Sequence, residues 1–320
     1  MADIVLLGGT GAMGRAIAAL LHAQQRPFRV VARSRSRLEA LFAAYPEAEL
    51  KTWNPEQPES ARAALSGART AFCLVGLPYW RFRDYPPLMR QTLDAAIAAG
   101  VARMLLVSSV YSYGVPRSTP VAEDHAREPA TVKGQMRKRQ EDMLLAADAA
   151  GRIRGTILRL PDFYGPGVET SIVNGVFQAA VKGKAAPLLA PIDTPHEFVY
   201  VPDAAAVALR LAAEPRAYGR AWNLAGAGPI SERQFAEKVF AAAGRPPALR
   251  PVGLWTLRTL GLFNRVLREL VEMHYLQTTP VLLDDSALRG LLGPLPKTSY
   301  DEGIRATLAA LPRPEPRRAG

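Results

Sequence analysis

A glycine-rich turn at the start of the chain constrains its fold more than any other feature. An apolar run, Ile4–Leu7, leads directly into Gly8-Gly9-Thr10-Gly11-Ala12-Met13-Gly14, and a helical pattern over Ala12–Gln24 follows within one turn. The spacing satisfies both Gly-x-Gly-x-x-Gly (9, 11, 14) and Gly-x-x-Gly-x-x-Gly (8, 11, 14). Between strand and helix, such glycines make the tight turn, admit a pyrophosphate close to the backbone and let the helix pack on the strand. The helix N-terminus then offers amide donors and its positive dipole end to the anion. The expected dinucleotide contacts are Gly8, Thr10, Gly11, Ala12, Met13 and Gly14.

The second strand bears on which dinucleotide is held. An NAD site usually carries an acid about 20 residues past the glycines, which accepts from the ribose 2′-hydroxyl. Here the strand Arg29–Ala32 runs into Arg33-Ser34-Arg35-Ser36-Arg37, with no acid at its end. Arginine forks bind a phosphate bidentately, whereas a carboxylate there would repel it. Arg33 and Arg35 therefore favour NADP(H), with NAD(H) as the alternative.

Apolar runs at Ile4–Leu7, Arg29–Ala32, Thr70–Val75 and Arg103–Val107 alternate with helical patterns at 12–24, 36–44, 59–65 and 88–99. Strands without polar alternation, separated by helices, imply a parallel sheet covered on both faces. Another helix over 134–150 precedes a strand at 154–160. Beyond residue 161 prolines break the pattern into short elements, with Phe198–Val201 and Ala221–Leu224 as strands. Asp203 is expected to cap a helix to Ala213, and Ser231–Ala243 forms another, capped one. The expected architecture is α/β: a Rossmann-type, doubly wound parallel sheet with a smaller C-terminal substrate domain. Residues 1–160 form the dinucleotide-binding domain. Residues 161–312 form mostly the substrate lobe, with elements returning to the first domain, and 313–320 a flexible tail.

Composition narrows the class further. The net charge of +11 comes from basic residues of which only seven are lysine, and the arginines are scattered. That argues against nucleic-acid binding and for an anionic cofactor or substrate. A single cysteine, Cys73, leaves no internal disulfide or multi-cysteine metal site, and no His/Cys/carboxylate cluster has metal spacing, so no metal is expected. The apolar start has no basic region before it and reads as a strand, not a leader. No stretch approaches roughly 18 apolar residues, so no membrane span is expected. A cytoplasmic protein, monomer or homodimer, with a small-molecule substrate fits these features.

Longer motifs carry a resemblance. Val107-Ser-Ser-Val-Tyr-Ser-Tyr-Gly114, Arg159-Leu-Pro-Asp-Phe-Tyr-Gly-Pro-Gly167, Glu197-Phe-Val-Tyr-Val-Pro-Asp203, Trp222-Asn223 and Gly303-Ile-Arg-Ala-Thr-Leu308 follow the glycine turn in order. Together they resemble the extended short-chain dehydrogenases/reductases of the NAD-dependent epimerase/dehydratase type over nearly the whole chain. The resemblance implies that Ser109 orients the substrate oxygen. It also implies that Val75, Gly76, Pro161 and Phe163 lie near the cofactor. The family's Tyr-x-x-x-Lys motif is degenerate here: the register within Thr131–Glu141 puts Lys133 at the tyrosine position and Arg137 at the lysine position.

Three readings follow. Lys133 can be the acid/base, as in the isoflavone-reductase-like atypical members whose Lys-x-x-x-Arg-x-x-x-Glu helix this segment resembles. It would be desolvated beside Arg137, with Glu141 pairing with Arg137 on the same face. Alternatively Lys133 only anchors the ribose, and Tyr111, Tyr113 or Tyr164 moves the proton. In the third, the site is inert and the protein is a non-catalytic NADP(H)-binding sensor or scaffold.

On the substrate side, Tyr79 (with Trp80), Tyr111, Tyr164 and His196 are the candidates. Residues 252–276 interleave large apolar residues, among them Leu254, Trp255, Leu257, Leu260, Leu262 and Phe263, with Arg258, Arg265 and Arg268. They read as a helical lid or dimer face, with peripheral membrane contact as the other option. The resemblance implies an NADP(H)-dependent oxidoreductase, reductase, dehydrogenase or epimerase-like, and the aliphatic content of this segment argues against a heavily hydroxylated sugar nucleotide and for a small, rather apolar carbonyl, hydroxy or enone substrate.

Overall fold

The computed structural model describes residues 2–311; the expected tail, 313–320, lies outside them. In the first half β1 (Ile4–Leu7), α1 (Ala12–Ala23), β2 (Phe28–Ala32), α2 (Arg35–Phe42), β3 (Ala48–Thr52), α3 (Pro58–Leu65), β4 (Thr70–Cys73), α4 (Tyr85–Ala98), β5 (Arg103–Ser109), α5 (Val132–Ala149) and β6 (Arg154–Leu160) alternate strictly. The second half holds β7 (Asp162–Tyr164), α6 (Asn174–Lys182), β8 (Ala186–Leu189), β9 (Pro195–His196), β10 (Phe198–Tyr200), α7 (Val201–Ala213) and β11 (Arg220–Asn223). It continues with β12 (Ile230–Ser231), α8 (Glu232–Ala242), β13 (Leu249–Val252), α9 (Leu254–Gly261), α10 (Arg265–Met273), α11 (Tyr275–Thr278), α12 (Ser286–Leu292) and α13 (Tyr300–Ala309).

Seven strands form one parallel sheet in the order β11-β6-β5-β4-β1-β2-β3. Successive side chains of a strand face opposite ways, so every central strand feeds two cores. Ile4 and Leu6 pack with α1 and α7, and Val5 and Leu7 pack with α3, α4 and α5. The strand order reverses at β1, which puts the glycine turn at the crevice where sheets of this kind take ligands.

The residues after 161 do not form an independent block. Strand β11 completes the main sheet beside β6, and α7 lies against α1. The remainder builds small sheets, β7 with β10, β9 with β12 and β8 with β13, around an aromatic core that includes Tyr164, Phe177, Phe198, Phe235 and Phe240.

Two local expectations need correcting. Strand β3 was not visible, because this edge strand is half-exposed and lacks an apolar run. Asp203 is not an N-cap: α7 starts at Val201 with Pro202 in its first turn, and Asp203 instead accepts from the Thr298 amide and hydroxyl at 2.7 and 2.9 Å. The Ser231 capping box on α8 forms as its sequence implies.

Candidate active site

The glycines divide into two groups. Gly8 has φ +78°, and a Cβ there would lie 2.9 Å from the Val75 backbone, so the turns after β1 and β4 close on each other only without a side chain. A Cβ on Gly9 would lie 2.5 Å from Val30, and one on Gly14 would strike Gly9. Gly11 differs. Its nearest neighbour would be the Gly8 carbonyl at 3.5 Å, and it is exposed. It caps α1 with no side-chain hydrogen bond and no acid in the first turn. Thr10, Ala12 and Met13 are only half-buried around it. Uncapped amides at an open, acid-free helix start fit the pyrophosphate of a dinucleotide.

Arg33 is exposed immediately after β2. Arg35 is engaged: its guanidinium donates to Glu39 at 2.7 Å and to the Leu50 carbonyl at 3.1 Å. Val75 and Gly76 follow β4, Pro161 is buried behind β6, and Phe163 is half-buried against the sheet's core.

At the carboxyl end of β5, the Ser109 hydroxyl is buried with no hydrogen-bond partner. Two residues on, the Tyr111 hydroxyl meets that of Tyr79 at 2.9 Å. Burial pushes Tyr79 up to about 12 and Tyr111 well above the usual phenol range, so both hydroxyls keep their protons at neutral pH. Lys133 opens α5 and is 2% exposed. Its ammonium lies 5.8 Å from the Tyr79 ring centre and donates to Glu269 at 2.7 Å and Glu272 at 2.5 Å, both on α10. The Lys133 backbone amide donates to Glu272 as well, at 3.0 Å.

The expected pairing of Glu141 with Arg137 does not form. Arg137 donates to the Val107 carbonyl at 2.9 Å and to Gln140 at 2.5 Å, and stacks on Tyr85, which ties α5 to β5 and α4. Glu141 lies deeper. It accepts from Arg159 at 2.8 and 3.1 Å, from Arg127 at 3.1 Å and from Ser108 at 2.5 Å. Burial works against the Arg159 charge, and Glu141 and Tyr113 more than offset it. Tyr113 belongs to this network through Arg159 and Asn223, at 2.7 and 2.8 Å. Tyr164 sits in the second lobe's aromatic core with its ring against Phe177, Tyr200, Phe235 and Tyr300. Tyr113 is tied into this buried network and Tyr164 into the aromatic core, where its hydroxyl has no hydrogen-bond partner; both lie apart from the Tyr79–Tyr111 pair.

His196 lies in a cluster that the sequence did not announce. Its Nε2, Glu232 Oε1, Gln277 Oε1 and the Tyr275 hydroxyl are all buried without partners. Gln277 neighbours both His196 and Glu232, and Asp162 raises the titration of Glu232, Tyr275, Tyr79 and Tyr111. Burial lowers His196 to about 4, so it is neutral at physiological pH. Burial raises Asp162 to about 6 and Glu232 to about 8. It also raises Glu197, which accepts from the Gly226 amide, to about 7. The folded state holds these three protons more tightly than the unfolded chain does. The resulting stability is complete below about pH 4 and is lost as pH rises through 6, 7 and 8. The lowered His196 works the other way, adding stability as pH rises from about 4 to 6.5. The melting temperature is therefore expected to fall by several degrees from about pH 6.5 to pH 8, and Glu232→Gln should flatten the upper part of that fall. A flat native profile in differential scanning calorimetry would contradict this account.

Residues 252–276 form α9, α10 and the start of α11. Leu257, Met273 and Leu276 turn inward, but Trp255, Leu260, Leu262, Phe263 and Val266 face solvent. The apolar-substrate expectation rested on this segment, and these five side chains do not line the site. Glu269 and Glu272 were missed. Their i, i+3 spacing places them on one helix face, but nothing local says that Lys133 lies opposite. Among the described residues there is no group of three or more His, Cys, Asp and Glu placed to hold a metal, and no helix long and apolar enough to cross a membrane.

A seven-stranded doubly wound sheet with an open glycine turn at its reversal point defines a dinucleotide-binding fold. Residues 8–173 match the family model described as NAD(P)H-binding, and the chain belongs to that family. It is 32% identical over 161 residues to a 2′-dehydrokanamycin reductase of Streptomyces kanamyceticus, covering 48% of this chain and 46% of that protein. The match thus spans about half that relative's length. It is 26% identical over 266 residues to a dTDP-6-deoxy-L-talose 4-dehydrogenase (NAD(P)(+)) of Kitasatospora kifunensis, covering 78% and 82%. In fold it is similar to a dTDP-glucose 4,6-dehydratase of Bacillus anthracis in complex with NAD. That match has a TM-score of 0.81 at 12% identity and covers 97% of this chain and 96% of the other. The fold is that of the NAD-dependent epimerase/dehydratase enzymes, as the motif order implied.

Proposed function

We propose that the protein is an NADP(H)-dependent oxidoreductase that interconverts a carbonyl and an alcohol on a small polar substrate. The observation that carries this reading is the partnerless Ser109 hydroxyl, buried at the end of β5 beside the Tyr79–Tyr111 pair. A buried hydroxyl without a partner is costly unless a ligand completes it. Bound NADP(H) supplies or accepts the hydride. Ser109 donates to the substrate oxygen and orients it. Lys133 gives that oxygen its proton in reduction and takes it back in oxidation, while Glu269 and Glu272 hold the ammonium in place. Arg137 positions α5, and with it Lys133, against β5.

The cluster of His196, Glu232, Gln277 and Tyr275 around Asp162 supports a substrate with several hydroxyl or amino groups, because its partnerless atoms are polar. The names of the two relatives, one a reductase and one a dehydrogenase, support a redox reaction on such a compound.

The preference for NADP(H) rests on Arg33, since Arg35 is already held by Glu39 and Leu50. Arg33→Asp should weaken NADPH binding by roughly 1.5–3 kcal/mol, the scale of a hydrogen bond to a charged group, and turn the preference toward NADH. Calorimetric titration with both cofactors tests this. Equal or tighter NADH binding by the native protein would refute the preference, and no binding of either would refute the proposed function itself.

A further inference from the structure

We propose that the hairpin of α9 and α10 docks the protein on the surface of an anionic lipid bilayer. The hairpin carries the most exposed large apolar side chains among the described residues: Phe263 is 90% exposed and Leu262 74% at its turn, Trp255 is 79% exposed in the first turn of α9, and Leu260 and Val266 flank the turn. Isolated apolar residues on a surface need no explanation, but five within twelve positions on one helical hairpin do.

The tip is held open by its own backbone bonds. Asn264 caps α10 by accepting from the Val266 and Leu267 amides at 2.9 and 3.2 Å, and the Phe263 amide donates to the Leu260 carbonyl at 3.1 Å. The opposite face of α10 is already engaged, because Glu269 and Glu272 grip Lys133 and Met273 is buried. The hairpin cannot fold its apolar tip inward without breaking those contacts.

Charge identifies the occupant. With the two glutamates turned inward, the exposed charges from α9 to α10 are Arg258, Arg265 and Arg268. Arg258 stacks 5.3 Å from the Trp255 ring centre and Arg265 5.5 Å from that of Trp80. Aromatic and aliphatic side chains flanked by arginines suit the headgroup boundary of a bilayer, where the rings lie among the headgroups and the guanidinium groups meet lipid phosphates. A second copy of the chain on this face would set arginines against arginines about a two-fold axis. None of the described helices spans a bilayer, so the contact is peripheral.

Flotation of the full-length protein with vesicles tests this. The native protein should float with phosphatidylcholine vesicles containing phosphatidylglycerol and not with phosphatidylcholine alone. Leu262→Ser/Phe263→Ser should lower the partition coefficient at least about tenfold, the scale of one large apolar side chain left in water. Replacing Arg258, Arg265 and Arg268 by glutamine should lower it about fivefold for each arginine. Brominated lipid should quench the native tryptophan fluorescence, and Trp255→Phe should remove most of that quenching. All these side chains are exposed, so an unchanged melting temperature confirms that the variants fold. The proposal is overturned if the native protein stays in the aqueous fraction with anionic vesicles, or if the Leu262/Phe263 variant floats equally well. Self-association of the native protein that the same variant abolishes, without flotation, would overturn it in favour of a second copy.

Discussion

Lys133→Ala is expected to cut turnover by roughly 10²–10⁴-fold with cofactor affinity little changed, the range for loss of a general acid–base. The motive is its position. Lys133 opens α5, is buried, and sets its ammonium over the ring of Tyr79, whose hydroxyl pairs with that of Tyr111. Its ion pairs complicate the alanine variant, because removing the ammonium leaves Glu269 and Glu272 facing each other and loosens α10. Lys133→Arg separates the two effects: it keeps the charge and the pairing, and so the melting temperature, but cannot give up a proton. A slow but stable Lys133→Arg variant supports proton transfer by Lys133. Loss of cofactor affinity in either variant would make it a ribose anchor. Full activity in both would move the chemistry to Tyr111 and Tyr79, whose hydroxyls remain protonated at neutral pH.

Gly11→Val is expected to abolish NADPH binding while leaving the fold in place. The Gly11 backbone has φ −74° and ψ 168°, an extended conformation open to any residue. An added Cβ would meet only the Gly8 carbonyl, at 3.5 Å, an ordinary van der Waals distance. The branched group would instead fill the open side of the turn, where the pyrophosphate needs the backbone amides. Gly14→Val makes the contrast, because a Cβ there strikes Gly9 and forces α1 away from β1. Gly14→Val should therefore lose stability and binding together, and Gly11→Val binding alone. Thermal shift with and without NADPH reads both. Protection of the Gly11 variant by NADPH would place the cofactor elsewhere.

Much of the fold was legible because its signals are local. A buried parallel strand needs an unbroken apolar run, and Ile4–Leu7 and Phe28–Ala32 show it. The glycine turn was legible for the same reason: its purpose, close backbone approach, is served by residues contiguous in the chain. Strand β3 escaped because an edge strand needs only half an apolar face, and Ala48–Thr52 offers less than that. The cap assigned to Asp203 failed because α7 already starts at Val201, with Pro202 in its first turn, which puts Asp203 inside the helix and leaves its carboxylate for Thr298, 95 positions away.

By itself the sequence determined the doubly wound sheet, the dinucleotide turn at its reversal point and the basic end of β2. Each follows from periodicity or residue type within a few positions. Only the tertiary structure decided the surroundings of the site. Lys133 meets Glu272 across 139 residues, Arg159 rather than Arg137 takes Glu141, and His196, Glu232 and Gln277 converge from three separate elements. No local pattern encodes such meetings, because a charge or a buried polar atom acquires its partner only when packing of the apolar faces has fixed which segments lie together.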